Sequence, residues 1–142
     1  MAVIVDSKGV DKAIKKLRLK ARKENREDVI VAYTQNYAMH VHENLGAYHH
    51  VGQAKFLEKP FRELGRELVR LIASVYKQRG SLTDALVYAG LRLQRESQLL
   101  TPVDTGALKA SAYTAKESNA QAAAGRAWAE SEQKKHGADP YR

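Results

Sequence analysis

Two stretches of the chain repeat apolar residues every three or four positions, and they are the longest elements the pattern predicts. Leu57, Phe61, Leu64, Leu68, Leu71 or Ile72, and Val75 recur at this spacing up to Gly80. They predict an amphipathic helix over 58–79, with Pro60 in its first turn. Leu82, Leu86, Ala89, Leu93 and Leu100 outline a second stripe, widened by Ala85, Tyr88 and Leu99, over 82–100. Gly80 reads as the glycine that ends the first helix. Ser81 reads as the N-cap of the second, with Asp84 three residues on. Helices joined this closely form an antiparallel hairpin. Gly90, mid-helix, costs about 1 kcal/mol relative to Ala, which predicts close packing against a neighbouring helix.

The strand signals are shorter. Ala2 to Val5 and Val29-Ile30-Val31-Ala32-Tyr33 are β-branched runs. Leu108 to Thr114 can run as a third strand, paired with Val29 to Tyr33 in a small sheet against the hairpin. Tyr37 to Glu43 fits two patterns. Alternation groups Tyr37, Met39 and Val41, and helical spacing groups Tyr37, Val41 and Leu45 with Asn36 as N-cap. We read it as a helix. Gly46 to Gly52 reads as a loop. Asp11 to Lys23 is helical by the spacing of Ala13, Ile14, Leu17 and Ala21, but its other faces are almost all Lys or Arg. Like charges four apart weaken it, so it needs a partner surface.

Between the second helix and the last strand lies Thr101-Pro102-Val103-Asp104-Thr105-Gly106. Pro102 pushes Thr101 out of the helical region, so the helix stops there. Asp104 can close an Asx turn, and Gly106 permits a positive φ. From Lys116 the composition shifts to alanine-rich, with a lone Trp128. This segment can be a helix, or an arm that orders on a partner through Trp128. The expected fold class is α+β: a helical hairpin packed on a small β-sheet, with a basic N-terminal helix and an extended C-terminal arm. Residues 1–115 form a single domain and 116–142 the arm.

Charge sharpens this picture. The formal net charge is +8, and Lys8 to Arg26 holds nine Lys and Arg against Asp11 and Glu24, a net of +7. A polyanionic partner is one reading and a solvated helix face the other. On the first, Lys12, Lys15, Lys16, Arg18, Lys20, Arg22 and Lys23 contact nucleic-acid phosphates or an acidic protein face. The chain has no cysteine, hence no disulfide, thiol nucleophile or Cys-ligated zinc. No apolar run reaches the roughly 18 residues of a membrane span, and the N-terminus lacks a signal-peptide pattern. A soluble protein of the cytoplasm is expected, with no membrane partner.

Four of the five histidines lie between 40 and 50. His40 and His42 share a face only on a strand, and His-Glu-x-x-His is absent, so no metal site is expected. There is no Gly-rich phosphate loop and no Gly-x-Ser-x-Gly elbow. We expect no catalytic residue, no cofactor and no enzyme activity.

Thr101 to Gly106, followed by Leu108-Lys109-Ala110-Ser111, resembles the signature of the tail-completion, or neck, proteins of tailed bacteriophages. A second block agrees: Tyr37-Ala38-Met39-His40-Val41-His42-Glu43, then Phe56-Leu57-Glu58-Lys59-Pro60. It is similar to the family's Tyr-Ala block and its Phe-Leu entry to a helix. In many members the Pro-Val-Asp-Thr-Gly corner precedes the Tyr-Ala block, whereas here it follows. The resemblance implies a virion structural protein assembled in the host cytoplasm. It implies a homo-oligomeric ring at the head–tail neck, touching portal-adaptor or tail proteins and surrounding the DNA path. On this view Thr101, Pro102, Val103, Asp104, Thr105 and Gly106 fix the fold corner. Tyr37, Ala38, Val41, His42, Glu43, Phe56 and Leu57 fix the fold and neighbouring contacts.

Overall fold

Every residue of the strand Val29–Tyr33 is buried. In a strand, side chains alternate between two faces, so a run of this kind needs cover on both. The computed structural model describes residues 1–5, 27–46, 52–103 and 106–136, and within it this strand, β2, is the middle of three. β1 (Ala2–Val5) pairs with it antiparallel from Ala2↔Ala32 to Val5↔Val29. β3 (Ala112–Lys116) pairs antiparallel on the other side, from Tyr33↔Ala112 to Val29↔Lys116. The sheet pairing read from the sequence is present. The strand expected over 108–114 is shifted, because Gly106, at φ 83°, opens a helical turn, α5 (Ala107–Ala110). Ser111 Oγ donates to the Leu108 carbonyl at 2.7 Å and closes that turn before β3 begins.

The remaining helices are α1 (Ala38–Glu43), α2 (Glu58–Glu63), α3 (Gly65–Arg79), α4 (Leu82–Leu100) and α6 (Ala120–His136). The single helix expected over 58–79 is two, because Leu64 leaves helical geometry at φ −90°, ψ 3° just before Gly65. The hairpin of α3 and α4 is present as read. Gly80 ends α3 in the left-handed region at φ 72°, and Ser81 Oγ accepts the Asp84 N–H at 3.2 Å to cap α4. The N-cap position of α1 is Tyr37, not Asn36, and no side chain caps it.

The hairpin covers one face of the sheet. Val29, Val31 and Tyr33 share a core with Phe56, Leu57, Ile72, Leu86 and Leu93. Ile30 and Ala32 face the other way, with Ala2 and Ala122. That second face is covered by α6, which corrects the expectation of an extended C-terminal arm. Alanines 122 and 129 on α6 are buried, and Gly125 lies so close to the sheet that a Cβ would meet Tyr113 Oη at 2.9 Å and Ile30 Cγ2 at 3.2 Å. Small residues let the helix sit down on the strands, so the element has no bulky stripe to announce it. The described part of the fold is therefore three layers, helix–sheet–helix. The basic helix expected over 11–23 lies outside the described residues.

Gly90 is closely packed, but against the sheet instead of a helix. A Cβ there would stand 2.7 Å from Thr114 Cγ2 and 3.1 Å from Val29 Cγ1. Both neighbours are β-branched and stiff. Gly90→Ala is expected to destabilise by about 1–3 kcal/mol despite its better helix propensity. A urea unfolding curve checks the sign, since on an unconstrained helix the substitution stabilises.

Candidate functional site

α1 exists to present His42. The helix is short, and on it Ala38 and His42, one turn apart, point into the core. The His42 ring is fully buried and lies edge-on to Phe56, with centroids 5.1 Å apart. Its Nε2 accepts the backbone N–H of Glu58 at 3.2 Å, and its Nδ1 lies 3.0 Å from Glu43 Oε1. An Nε2 that accepts leaves the proton on Nδ1, which donates to the carboxylate. His42 therefore serves α2 as an N-terminal acceptor, the role usually taken by Ser, Thr, Asp or Asn. Burial pulls its pKa below the ordinary value of 6.5, against the upward pull of the Glu43 hydrogen bond and charge.

Lys55 closes this corner from outside. Its ammonium bridges Glu43 and Glu58. Burial draws the ammonium's pKa down, but hydrogen bonds and charge from the two carboxylates outweigh it and the net shift is upward. Lys55 holds a left-handed backbone at φ 57°, and its N–H donates to the His42 carbonyl at 2.8 Å. These bonds hold a conformation that a lysine otherwise avoids.

The second motif block meets the first through Tyr33 and Phe56. The Tyr33 hydroxyl lies 2.7 Å from both Ser97 Oγ and Thr101 Oγ1, and both partners are fully buried. Thr101 Oγ1 also donates to the Ser97 carbonyl at 2.9 Å. Burial raises the Tyr33 pKa, against a smaller opposing pull from the two hydroxyls. Phe56 stands edge-on to the Tyr33 ring at 5.0 Å as well as to His42. The backbones also touch. Gln53 N–H donates to the Leu100 carbonyl at 2.8 Å. Gly52, at φ 86°, lies flat against residues 100–102.

The family-motif residues thus divide. Thr101, Ala38, His42, Phe56 and Leu57 are buried in this lock, and Val41 and Glu43 flank it. Thr101 is extended at ψ 131°, as its place before Pro102 requires. Tyr37 and Val103 are 42% and 39% exposed. Asp104 and Thr105 lie outside the described residues, as do Lys12, Lys15, Lys16, Arg18, Lys20, Arg22 and Lys23. Trp128 is half-buried between the two cores, where it fixes α6 to the sheet.

Sequence reasoning missed Tyr33, Ser97, Lys55 and Gly52. Ser97 carries the readable signal: it is a polar residue on the apolar side of α4, four residues before Thr101. Also missed was Arg126, whose Nη1 reaches Asp28 at 2.7 Å and Glu117 at 3.3 Å. It tethers α6 beside an open cleft of about 370 Å³ lined by Glu27, Glu117 and Glu130. There the Glu27 carboxyl is held below its ordinary value by hydrogen bonds from the Ser118 side chain and N–H.

Chemically, the lock fixes backbone. Its three hydroxyls bond one another, and its imidazole bonds the Glu43 carboxylate and the Glu58 N–H on the other side of Phe56. Among the described residues no group of three His, Asp or Glu is arranged to hold a metal ion, and no helix is long and apolar enough to cross a membrane. The chain matches no protein-family model, no curated protein and no solved structure.

Proposed function

We propose that this protein is a structural subunit of the bacteriophage head–tail neck, acting by assembly into a homo-oligomeric ring around the DNA path, without enzyme activity. One observation supports the reading beyond the motifs themselves. The two blocks that resemble the neck family, far apart in sequence, converge on a single buried lock whose polar groups face inward. Motif residues that serve architecture suit a protein whose work is assembly. A ring also requires two different faces on each subunit, because its contacts are heterologous and close by rotation. The virion is the proposed location, and portal-adaptor or tail proteins are the proposed neighbours.

The net +7 carried by Lys8 to Arg26 favours one alternative, a nucleic-acid-binding module that acts through phosphates. Mass in solution, with and without duplex DNA across a salt series, separates the two. The neck reading expects a mass of many subunits, or monomers that add only to isolated viral particles. A monomer or dimer that binds duplex tightly at low salt and releases it steeply with salt overturns it.

A further inference from the structure

The two covers of the sheet are built differently. On the hairpin side Phe56, Leu57, Ile72, Leu86 and Leu93 are buried with Val29, Val31 and Tyr33. On the α6 side, among the described residues, Ile30 is the one large side chain in a buried cluster otherwise made of Ala2, Ala32 and Ala122. The 17 residues of α6 include no Leu, Ile, Val, Met or Phe, so Trp128 is its sole large apolar side chain. Burial stabilises in proportion to the apolar area removed from water, so α6 is held far more weakly than the hairpin. Polar contacts supply part of its hold. Arg126 reaches Asp28, and Tyr113 Oη donates to the Gln121 carbonyl at 2.8 Å. The Arg126–Asp28 pair is partly exposed at both ends, which limits what it adds.

α6 also carries what it needs to remain a helix away from the sheet. Six of its residues are alanine, the strongest helix former. Asn119 Oδ1 accepts the N–H groups of Gln121 at 2.9 Å and Ala122 at 3.3 Å, which caps its first turn. Arg126 and Glu130, four residues apart, pair along its side. Gly125 works against it. Its length exceeds the roughly 12–15 residues below which isolated helices are marginal. Only residues 117–119 join it to β3, so it can swing away without moving a strand.

We propose that α6 is a strap. It leaves the sheet as one helical unit while the hairpin and the three strands stay folded, and it uncovers an apolar face that includes Ile4, Ile30, Ala32, Tyr113 and Ala115. Local openings span free energies from near zero up to that of global unfolding, and the thin seam sets α6 toward the low end. A strap of this kind lets a folded subunit present an apolar surface only when it opens. Neither a ring nor a DNA contact enters the inference, so it stands or falls apart from the neck reading.

Trp128 is the only tryptophan in the chain, so its emission reads the strap directly in the wild-type protein. In urea its transition is expected at a lower midpoint than the main loss of far-UV circular dichroism. The chain has no cysteine, so a single introduced thiol reports on one place. Ala32 is buried in the cluster under α6, and Ala89 in the hairpin cluster. In native buffer the thiol of Ala32→Cys is expected to label roughly a hundredfold faster than that of Ala89→Cys, or more. Arg126→Gln is expected to lower the Trp128 midpoint and to speed labelling of Ala32→Cys about three- to tenfold, while labelling of Ala89→Cys stays within about twofold. Coincident wild-type transitions for Trp128 and circular dichroism overturn the proposal. Equal labelling of the two thiols overturns it too, as does an Arg126→Gln substitution that speeds both alike.

Discussion

Gly52→Ala is expected to lower the unfolding free energy by about 3–5 kcal/mol, a large share of the 5–15 kcal/mol typical of a domain. Two penalties coincide. At φ 86° a side chain is strained whatever the space around it. A Cβ would also stand 2.6 Å from the Leu100 carbonyl oxygen, the Thr101 carbonyl carbon and the Pro102 nitrogen. These are backbone atoms, so no rotamer change makes room. The segment must move off the 100–102 corner, and the Gln53–Leu100 hydrogen bond goes with it. Gly106→Ala is the control. Its φ is 83°, but nothing lies within 4 Å of the added Cβ, so only the conformational penalty of about 1 kcal/mol remains. Guanidinium unfolding of both variants decides the point. Equal losses would show that the close approach of the two motif blocks carries no energy.

Acid is expected to open the same lock through His42. The folded-state pKa lies below the ordinary 6.5 because the ring is buried. Below 6.5 the unfolded chain takes up a proton that the folded chain refuses. His42 therefore contributes stability that is fully present above pH 6.5 and lost as pH falls toward and through the lower folded pKa. Protonation of Nε2 also turns the acceptor for the Glu58 N–H into a donor, so α2 loses its cap. Glu43 and Glu58 pull toward the charged ring, while Lys55 opposes it. Urea midpoints measured from pH 7.5 to pH 5 should fall more steeply in wild type than in His42→Gln, which has no imidazole to titrate. Parallel curves would sink the idea. His42→Ala, which leaves a cavity beside Phe56 and an uncapped helix, is expected to cost about 3 kcal/mol at pH 7.5.

The hairpin was legible because its two stripes are bulky, periodic and punctuated by Gly80 and Ser81. The sheet was legible in part. Val29 to Tyr33 reads as a strand, but the reading placed it against the hairpin on one face only. The second cover was obscured because α6 meets the sheet with Ala122, Gly125 and Ala129, whose seam resembles a low-complexity tail. At the lock, the corner declares itself through Pro102 and Gly106, whose backbone limits are local. Its partners do not. Tyr33 lies in a strand and Ser97 in a helix, and nothing local reveals that their hydroxyls meet. His42 misleads in another way. A histidine beside a glutamate suggests chemistry at the surface, but burial makes the pair a helix cap.

The middle strand has a further consequence for how the molecule comes into being. β2 is synthesised early, but its partner β3 follows the whole helical hairpin, with Tyr33 paired to Ala112 and Val29 to Lys116. The hairpin closes over a short turn and can form fast, whereas this strand pairing must wait for distant chain. Until then β2 has at most β1 beside it and an open apolar edge, the kind of edge that recruits strands from other chains. The sheet is thus the late-closing and aggregation-prone part of the molecule during synthesis. Slower translation after residue 33 lengthens that exposure, and the arrival of β3 and α6 ends it.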